Sequence, residues 1–375
     1  MKRIYFRNSK NWNKVFATFF NKNEESTEKI ALLEQDVNGD FILDFDNEKY
    51  DNICFENGLG EKTSKIHTGA ISIGVEYRTN LGMEREMTYL FSKDNTKNGR
   101  VDTYILDDAK NLSHREEKSK KINVFVPSTY DPAIPHDILY FFDAQNLFCN
   151  AGFYTKCGDP YGSWQIDIVL SEVHRQYGKN VIVVGIDNAD KYRDQELFMN
   201  PADFGDLAPL ATALPEEDYS KGQLDNLLGF IKNTLHPFIK NEYSVNEDNI
   251  GIGGSSMGGI AAFYCGLREN DTFKYILSYS PAFGLYEMSS FENWFSKKDF
   301  TNSGGELPQI HIYCGGGDIL ETMLLPSSKE MKSILIKHGY NASKVFETYD
   351  MEKPHNEESW RLILCDSFTK IYDLK

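Results

Sequence analysis

Hydrophobic and polar positions follow two different rhythms along the chain. From about residue 2 to residue 90, short apolar or alternating runs, such as residues 41–45, are separated by polar turns such as residues 37–40. No helical period of useful length appears in this part. Alternation over short runs is typical of half-buried strands joined by turns. The pattern therefore predicts a small all-β sandwich at the N-terminus.

The hydrophobic pattern changes at about residue 120, where apolar runs begin to alternate with amphipathic stretches of helical period. The predicted strands are residues 122–126, 138–142, 181–186, 276–280 and 310–313, and the predicted helices are residues 165–177, 224–243, 257–268, 328–338 and 358–372. Continuous apolar strands need both faces covered, as in a parallel sheet. Their alternation with helices predicts an α/β domain with a mostly parallel sheet. We place the boundary between a β-sandwich of residues 1–95 and an α/β domain of residues 96–375.

Two segments, residues 191–222 and 282–305, are aromatic, polar and interrupted by glycine and proline. They are too long to be simple connections between a strand and a helix. Long loops at strand ends usually shape a pocket, although plain surface decoration is the alternative.

Composition and charge narrow the classes of partner. The chain has 375 residues, of which 41% are hydrophobic and 26% charged, as in ordinary folded proteins. It carries 56 acidic and 40 basic side chains, a net charge of −16, which argues against nucleic acid or an anionic membrane as the main partner. No apolar stretch could span a membrane and no signal-peptide core follows Met1, so we expect a cytoplasmic location, or a secreted one if a leader has been removed.

The six cysteines are scattered and have no zinc-binding spacing, so no metal site is predicted. Cys149 and Cys157 are close enough in sequence to form a disulfide. Without a secretion signal, the reduced state is the better expectation.

The candidate nucleophile lies in a G-x-S-x-G motif formed by Gly254, Ser256 and Gly258. A nucleophilic serine on a tight turn between a strand and a helix needs neighbours without side chains, because the backbone must close on itself. The turn also directs the amide of Met257 at the oxygen that becomes an oxyanion. A glycine-rich helix cap without chemistry is the alternative.

A nucleophilic serine needs a histidine base, and three of the eight histidines follow Ser256. His311 falls inside a predicted strand, where burial in the core is expected. His338 ends a predicted helix and reads as a capping residue. His355 lies in the loop between the last strand and the last helix, where an imidazole can reach a serine. We therefore predict that His355 is the base.

The acid that orients the histidine should follow a strand that ends at glycines, as residues 310–318 do. Asp318 is the first candidate and Glu321 the second. The alternative for Asp318 is a helix N-cap, and the two roles are compatible.

The segment ILYFFDAQNLF at residues 138–148 resembles the "LY..DGQNLF" segment of the putative esterase family, which has the α/β-hydrolase fold and includes esterase D, feruloyl and acetyl-xylan esterases and enterobactin esterases. The segments SWQID at 163–167, VVGIDN at 183–188 and SPAF at 280–283 match in order, as does His355 followed by Trp360. The resemblance covers about residues 100–375.

The resemblance implies a serine hydrolase that needs no metal or organic cofactor. Ser256 would attack an ester carbonyl, His355 would move the proton, and Asp318 would orient His355. The oxyanion hole would consist of the amides of Met257 and Gln145. The family's DG reads Asp143-Ala144 here.

The resemblance also suggests substrate-binding residues beside the pocket. Trp164, Arg193 and Glu196 match family positions there. A surface ion pair is the alternative for Arg193 and Glu196.

The N-terminal region resembles the opening of the starch-binding carbohydrate modules of families 25 and 26, on residues 4–17 and 53–58. This resemblance implies that Trp12, with one of Phe19, Phe20 or Tyr50, could form an aromatic platform that stacks on sugar rings of a polysaccharide. A sandwich that packs on the pocket, as in siderophore esterases, is the alternative.

These observations together predict a two-domain serine esterase that works through an acyl-enzyme. The favoured substrates are acetyl or feruloyl esters of carbohydrates. The alternatives are a siderophore trilactone esterase, an acyltransferase that uses the same three residues, or a carbohydrate-binding protein with a disused hydrolase domain.

Overall fold

The computed structural model describes residues 1–23, 25–36, 39–71, 74–80, 85–91, 95–96, 98–108, 110–116, 118–148, 163–212, 221–298, 300 and 306–372. Cys149 and Cys157 lie outside the described residues. None of the helices in the described part of the chain is both long and apolar enough to cross a membrane.

Seventeen strands form within the described residues. They are β1 (Lys2–Arg7), β2 (Phe16–Phe20), β3 (Ser26–Ala31), β4 (Phe41–Phe45), β5 (Asn52–Glu56), β6 (Ile66–His67), β7 (Gly74–Asn80), β8 (Arg85–Phe91), β9 (Asn95–Thr96), β10 (Gly99–Asp107), β11 (Ser119–Pro127), β12 (His136–Phe142), β13 (Val181–Ile186), β14 (Val245–Ser255), β15 (Phe273–Tyr279), β16 (Gln309–Gly315) and β17 (Val345–Asp350).

Ten α-helices form within the same residues. They are α1 (Ile166–Tyr177), α2 (Arg193–Glu196), α3 (Pro201–Phe204), α4 (Pro209–Thr212), α5 (Leu224–Phe230), α6 (His236–Glu242), α7 (Met257–Arg268), α8 (Met288–Ser296), α9 (Ile319–Lys337) and α10 (Glu357–Ile371). A π-helical turn, Ile231–Leu235, joins α5 to α6 without a break.

One long sheet runs through most of the molecule, in the order β17-β16-β15-β14-β12-β13-β11-β10-β8-β7-β1-β4, with β9 beside β10. The strands from β12 to β17 are parallel to one another. β11 and β10 continue the sheet in antiparallel pairing. The carboxyl ends of the parallel strands therefore meet at one edge, where an α/β sheet binds its ligands.

Helices cover both faces of the parallel part, because its strands are apolar on both faces. In β12, Ile138, Tyr140 and Phe142 pack into one hydrophobic cluster together with side chains of α5 to α9. Leu139 and Phe141, which alternate with them, pack into a second cluster with side chains of α1 and α10. The predicted α/β-hydrolase architecture with a mostly parallel sheet is confirmed.

The N-terminal region is a sandwich of two sheets, as the alternating pattern predicts. A four-stranded antiparallel sheet, β3-β2-β5-β6, packs on the β4-β1-β7-β8 end of the long sheet. Their shared core contains Phe6, Phe19 and Phe55. β8 pairs with β10, and Ile105 of β10 belongs to the N-terminal core. Backbone hydrogen bonds therefore cross the predicted boundary at residues 95–96, which stays a prediction.

The predicted aromatic platform on the sandwich is wrong. Trp12 is buried against Phe6, with its indole nitrogen donating to Glu61. Tyr50 is also buried in this core, where its ring stacks on Phe19. Phe20 alone stays half-buried, under the ammonium of Lys65. The rings of Trp12 and Tyr50 fill the space between the sheets together with the other apolar side chains of this core.

Candidate active site

Ser256 lies in the turn that joins β14 to α7. Its backbone has φ 57° and ψ −120°, a region that side-chain-bearing residues rarely adopt. Such a conformation costs about 1–3 kcal/mol and persists only where the surrounding structure imposes it. Here the Ser256 amide donates to Tyr279 O at 2.9 Å, and the next residue, Met257, begins α7. The predicted tight turn from strand to helix is confirmed.

The two glycines of the motif make this turn sterically feasible. A Cβ on Gly254 would lie 2.4 Å from the carbonyl oxygen of Gly258, closer than any real contact. A Cβ on Gly258 would lie 3.2 Å from Phe142 Cβ and 3.0 Å from a carboxylate oxygen of Asp143. The strand, the turn and the first helical residues therefore pack backbone to backbone.

His355 lies in the loop between β17 and α10, as predicted, and its imidazole contacts a glutamate. The distance between His355 Nδ1 and Glu321 Oε1 is 3.0 Å, and the Glu321 side chain is fully buried. An ionised carboxylate can only accept, so Nδ1 carries the proton and Nε2 is left as the basic nitrogen. This is the arrangement that a general base requires.

The prediction that Asp318, the first candidate for the orienting acid, contacts the imidazole ring is wrong. Asp318 is the N-cap of α9, and its Oδ1 accepts from the amide of Glu321 at 2.8 Å. Its Oδ2 accepts from the backbone amide of His355, not from the ring, at 2.7 Å. Both oxygens are therefore engaged by backbone groups, and Glu321, the second choice, faces the imidazole one helical turn later.

A set of donors holds the Glu321 carboxylate in place. The Ser280 hydroxyl donates to Oε1, the same oxygen that contacts His355. The indole nitrogen of Trp360 in turn donates to Ser280 Oγ at 2.9 Å. At the other oxygen, Oε2, the amide of Gly315 donates at 2.8 Å. Each carboxylate oxygen is thus fixed, and the ring of His355 is fixed with it.

These donors also keep Glu321 ionised. Burial on its own raises the pKa of Glu321, but the hydrogen bonds from His355, Ser280 and Cys314 outweigh it and hold the pKa below its ordinary value. A buried negative charge beside Nδ1 stabilises the imidazolium that forms when His355 takes a proton.

The two predicted oxyanion donors are Met257, which directly follows Ser256, and Gln145. Met257 is the first residue of α7, so its amide has no acceptor within the helix. Gln145 is the middle residue of a 3₁₀ turn, Ala144–Asn146, which directly follows β12, and it lines the same cleft as Ser256. The first amides of such a turn are likewise free of partners within it.

The cleft has a volume of about 450 Å³ and lies at the carboxyl ends of the parallel strands. Both Ser256 and His355 line it. Its other walls are formed by Asp143, Gln145, Asn146, Trp164, Arg193, Ser255, Asp318, Leu320, Glu357 and Trp360.

Trp164 and Arg193 therefore lie where the family resemblance implies. Trp164 is buried beneath the cleft and stacks on Trp360, with 5.6 Å between ring centroids. Arg193 forms a two-pronged ion pair with Asp143, with both N–O distances 2.8 Å. The arginine thus holds the start of the turn that carries Gln145.

Glu196 does not line this cleft, so its predicted substrate contact is wrong. Its side chain is buried among Lys120, Arg115 and His114. Burial on its own raises the pKa of Glu196, but the attraction of Lys120 and the other two side chains lowers it to about 2. Glu196 therefore has a structural role, and Arg193 pairs with Asp143 instead of with Glu196.

Sequence reasoning assigned no site role to Ser280, Asn146 or Glu357. Ser280 follows β15, has a positive φ of 41° and supports Glu321. Asn146 and Glu357 hydrogen-bond to each other at the rim of the cleft, at 2.9 Å. The available signals were weak, namely a polar residue before a proline for Ser280 and a carboxylate two residues after the base for Glu357.

The other two histidines after Ser256 are placed as predicted. His311 is buried in β16, where burial lowers its pKa to about 3. His338 is the C-cap of α9. Among the described residues, no group of three or more histidine, cysteine, aspartate or glutamate side chains is arranged to hold a metal ion.

The fold and this cleft define a protein of the α/β-hydrolase class. A family model described as "Putative esterase" matches residues 113–370. The chain belongs to this family and is a carboxylic ester hydrolase. No curated protein matches it significantly.

Solved structures share the fold at low sequence identity. The siderophore hydrolase EstA from Aspergillus nidulans is 14% identical, with 74% of this chain and 99% of that chain covered and a TM-score of 0.54. The BES protein from Bacillus cereus is 16% identical, with coverages of 75% and 98% and a TM-score of 0.53. An IroE-like serine hydrolase from Shewanella oneidensis is 17% identical, with coverages of 74% and 81% and a TM-score of 0.52.

Proposed function

We propose that the protein hydrolyses esters through a covalent acyl-enzyme, with Ser256 as nucleophile, His355 as base and Glu321 as the orienting acid. The single observation that carries the proposal is the pairing of a conformationally restrained serine with a histidine–glutamate pair in one cleft. A serine is a weak nucleophile by itself, and this surrounding is what activates it.

In the first half of the reaction, Ser256 Oγ attacks the ester carbonyl carbon while His355 Nε2 takes the hydroxyl proton. The negative charge that develops on the carbonyl oxygen is met by the amides of Met257 and Gln145. The carbon–oxygen bond to the alcohol then breaks, and the alcohol leaves with the proton from His355. Glu321 stays ionised throughout and stabilises the imidazolium.

In the second half, water replaces the alcohol. His355 takes a proton from the water as it attacks the acyl carbon, and the same two amides meet the new oxyanion. The bond to Ser256 Oγ breaks, the serine regains its proton from His355, and the free acid leaves.

Hydrolysis of p-nitrophenyl acetate tests this proposal. We expect Ser256→Ala and His355→Ala to lower kcat by roughly 10⁴-fold or more, since these groups act as one unit. A burst of p-nitrophenol equal to the enzyme concentration is the expected sign of the acyl-enzyme. Full activity of Ser256→Ala would contradict the proposal.

For the substrate, we propose an acylated carbohydrate of small size. The support is the mixed wall of the cleft, which contains the polar side chains of Gln145 and Asn146 as well as the apolar Leu320. Such a wall suits an alcohol that carries several hydroxyl groups. The N-terminal aromatic rings do not support this substrate, since Trp12 and Tyr50 are buried.

A siderophore trilactone is the second candidate, because a siderophore hydrolase from Aspergillus nidulans has this fold over nearly its whole length. Among the described lining residues, the three acids Asp143, Asp318 and Glu357 outnumber the two basic side chains, Arg193 and His355. This charge disfavours an anionic iron complex and leaves the neutral, iron-free ester as the form to test.

A panel of substrates separates the two candidates. Acetylated and feruloylated oligosaccharides are compared with an iron-free and an iron-loaded trilactone by kcat/KM. A preference for the sugar esters of at least tenfold supports the first candidate. A preference for the iron-free trilactone supports the second, and a preference for the iron-loaded form would contradict the charge argument.

A further inference from the structure

Glu357 is a buried acid at the edge of the catalytic cleft whose presence the proposed reaction does not explain. It is the first residue of α10, two positions after His355, and only 8% of it is exposed. Its Oε2 is buried without a hydrogen-bond partner among the residues that the structure describes. Burial raises the pKa of Glu357, because removing an ionised carboxylate from water costs free energy. A buried acid with one unused oxygen needs a reason other than stability.

The oxygen that is used, Oε1, accepts from Asn146 Nδ2 at 2.9 Å. Asn146 directly follows Gln145, and both belong to the 3₁₀ turn at the end of β12. The contact spans 211 positions in sequence. It ties the turn with the proposed second oxyanion donor to the loop with the proposed base.

The other attachments of this turn come from different parts of the chain. Asp143, which precedes the turn and has a positive φ of 56°, is held by Arg193. The side-chain oxygen of Gln145 accepts from the amide of Asn188 at 3.3 Å. The carbonyl of Asn146 accepts from the amide of Trp164 at 2.9 Å. Among the hydrogen bonds that the structure describes, only the one to Glu357 connects this turn to the part of the chain that carries His355.

Oxyanion donors work because they are already in place when the charge develops, and displacement of a donor by a fraction of an ångström weakens them. The turn has only three residues, so a contact to Asn146 acts on the residue next to the Gln145 amide. We propose that Glu357 is a positioning residue, which acts through Asn146 to fix the amide of Gln145 relative to Ser256 and His355. This inference rests on the proposed ester hydrolysis.

The expected signature is a loss in kcat without a change in substrate binding, because the oxyanion forms only in the transition state. We expect Glu357→Ala to lower kcat on p-nitrophenyl acetate by about 10- to 100-fold, somewhat less than removal of an oxyanion donor outright. KM should stay within about twofold. Affinity for an alkyl boronic acid, which forms a tetrahedral adduct with the serine, should fall by a factor similar to that of kcat.

Glu357→Gln is the conservative variant, because its amide oxygen can still accept from Asn146 Nδ2. We expect it to restore kcat to within about threefold of the wild type. Asn146→Ala should reproduce Glu357→Ala, and the double variant should lose no more than the single variants, since both remove one contact. Glu358→Ala is the matched control: the neighbouring acid has 69% of its side chain exposed and should leave kcat unchanged.

Several results would overturn the inference. A raised KM with unchanged kcat would mean that Glu357 touches the substrate. Additive losses in the double variant would mean that the two residues act separately. If circular dichroism shows that Glu357→Ala does not fold, the Asn146→Ala and Glu357→Gln variants still test the inference. Activity that survives Ser256→Ala would remove the proposed function, whereas normal kcat in Glu357→Ala, with Ser256→Ala inactive, removes only this inference.

Discussion

One helical turn separates the carboxylate that faces the imidazole from the one that caps the helix. Glu321 contacts His355 Nδ1, whereas Asp318 accepts hydrogen bonds from the backbone amides of both Glu321 and His355. Glu321→Gln replaces the charge by an amide and removes the stabilisation of the imidazolium. By analogy with such changes in other triads, we expect kcat to fall by roughly 10²–10⁴-fold. The measurement is kcat on p-nitrophenyl acetate.

Asp318→Asn is the comparison for this prediction. An asparagine keeps one acceptor oxygen for the N-cap but turns a donor NH₂ towards the other backbone amide, so Asp318→Asn should lower the free energy of unfolding by about 1–3 kcal/mol. It should leave kcat within about tenfold, because the charge beside the imidazole is unchanged. If Asp318→Asn were as damaging to kcat as Glu321→Gln, the assignment of the acid would have to be reversed.

At the scale of elements, the start of one helix determines which of the two acids faces the imidazole. The apolar period predicts a helix over residues 328–338, but α9 begins at Ile319. Pro326 lies inside the helix and hides its first turns, because proline usually ends such a pattern. With the helix starting at residue 319, Asp318 becomes the cap and Glu321 falls on the first turn. The sequence prediction placed Asp318 first because it follows the glycines at the end of a strand, and that pattern does not show which carboxylate turns towards the ring.

Several elements with a clear apolar period were predicted closely. Strand β13 and helix α7 have the predicted limits, and the predicted helix over residues 224–243 corresponds to α5, the π-helical turn and α6. In the segment of residues 191–222, the described part contains three short α-helices that carry no usable period. Four-residue helices bury too few side chains to leave a pattern. Their contacts come from tertiary packing and were not predictable.

The turn at Ser256 allows a prediction about glycine. A Cβ on Gly254 would collide with a backbone oxygen, which cannot rotate away as a side chain could. We expect Gly254→Ala to lower the free energy of unfolding by about 2–4 kcal/mol and to lower kcat in the fraction that folds. Urea unfolding measures the first and steady-state kinetics the second.

Gly284→Ala is the matched control, because the nearest atom to its Cβ would be 3.5 Å away, an ordinary contact. This variant should keep both stability and kcat. Equal stability of the Gly254→Ala and wild-type proteins would mean that the turn can open without loss.

The junction between α2 and β11 gives a prediction about pH. Glu196 is the last residue of α2, and its carboxylate pairs with Lys120 of β11. Its pKa in the folded protein is about 2, below its ordinary value of 4.5. A carboxyl group whose pKa is lower in the folded than in the unfolded protein stabilises the fold at any pH above its pKa in the unfolded chain. This stabilisation is lost as the pH falls from about 4.5 towards 2.

We therefore expect Glu196→Gln to be less stable than the wild type by about 3 kcal/mol at pH 7, and the difference to shrink as the pH falls below about 4.5. Urea unfolding of both proteins between pH 7 and pH 3 measures this. The exposed Glu358→Gln variant serves as the reference. A stability difference that stays constant over the whole range would contradict the role of the Glu196 charge.

At the scale of the whole molecule, the two predicted domains share one sheet. The change in hydrophobic pattern distinguishes a part built of strands from a part in which strands and helices alternate, because the period of a pattern reports local structure. It cannot report that β8 pairs with β10, since this pairing depends on hydrogen bonds between backbones and on no side-chain period. The N-terminal region is therefore built onto the edge of the catalytic sheet.

This shared sheet leads to a prediction about truncation. Removal of residues 1–96 would leave the edge of β10 without its partner β8 and would uncover Ile105, which is buried in the N-terminal core. An open apolar edge strand pairs with other copies. We expect the truncated chain to self-associate, as measured by light scattering, while the full chain at equal concentration does not.

The same truncation with Ile105→Lys should self-associate less, because a charge beside an open edge opposes pairing. A truncated chain that stays monomeric with the melting temperature of the full chain would mean that β10 forms a stable edge, and that the sandwich is an independent attachment and no part of the catalytic fold.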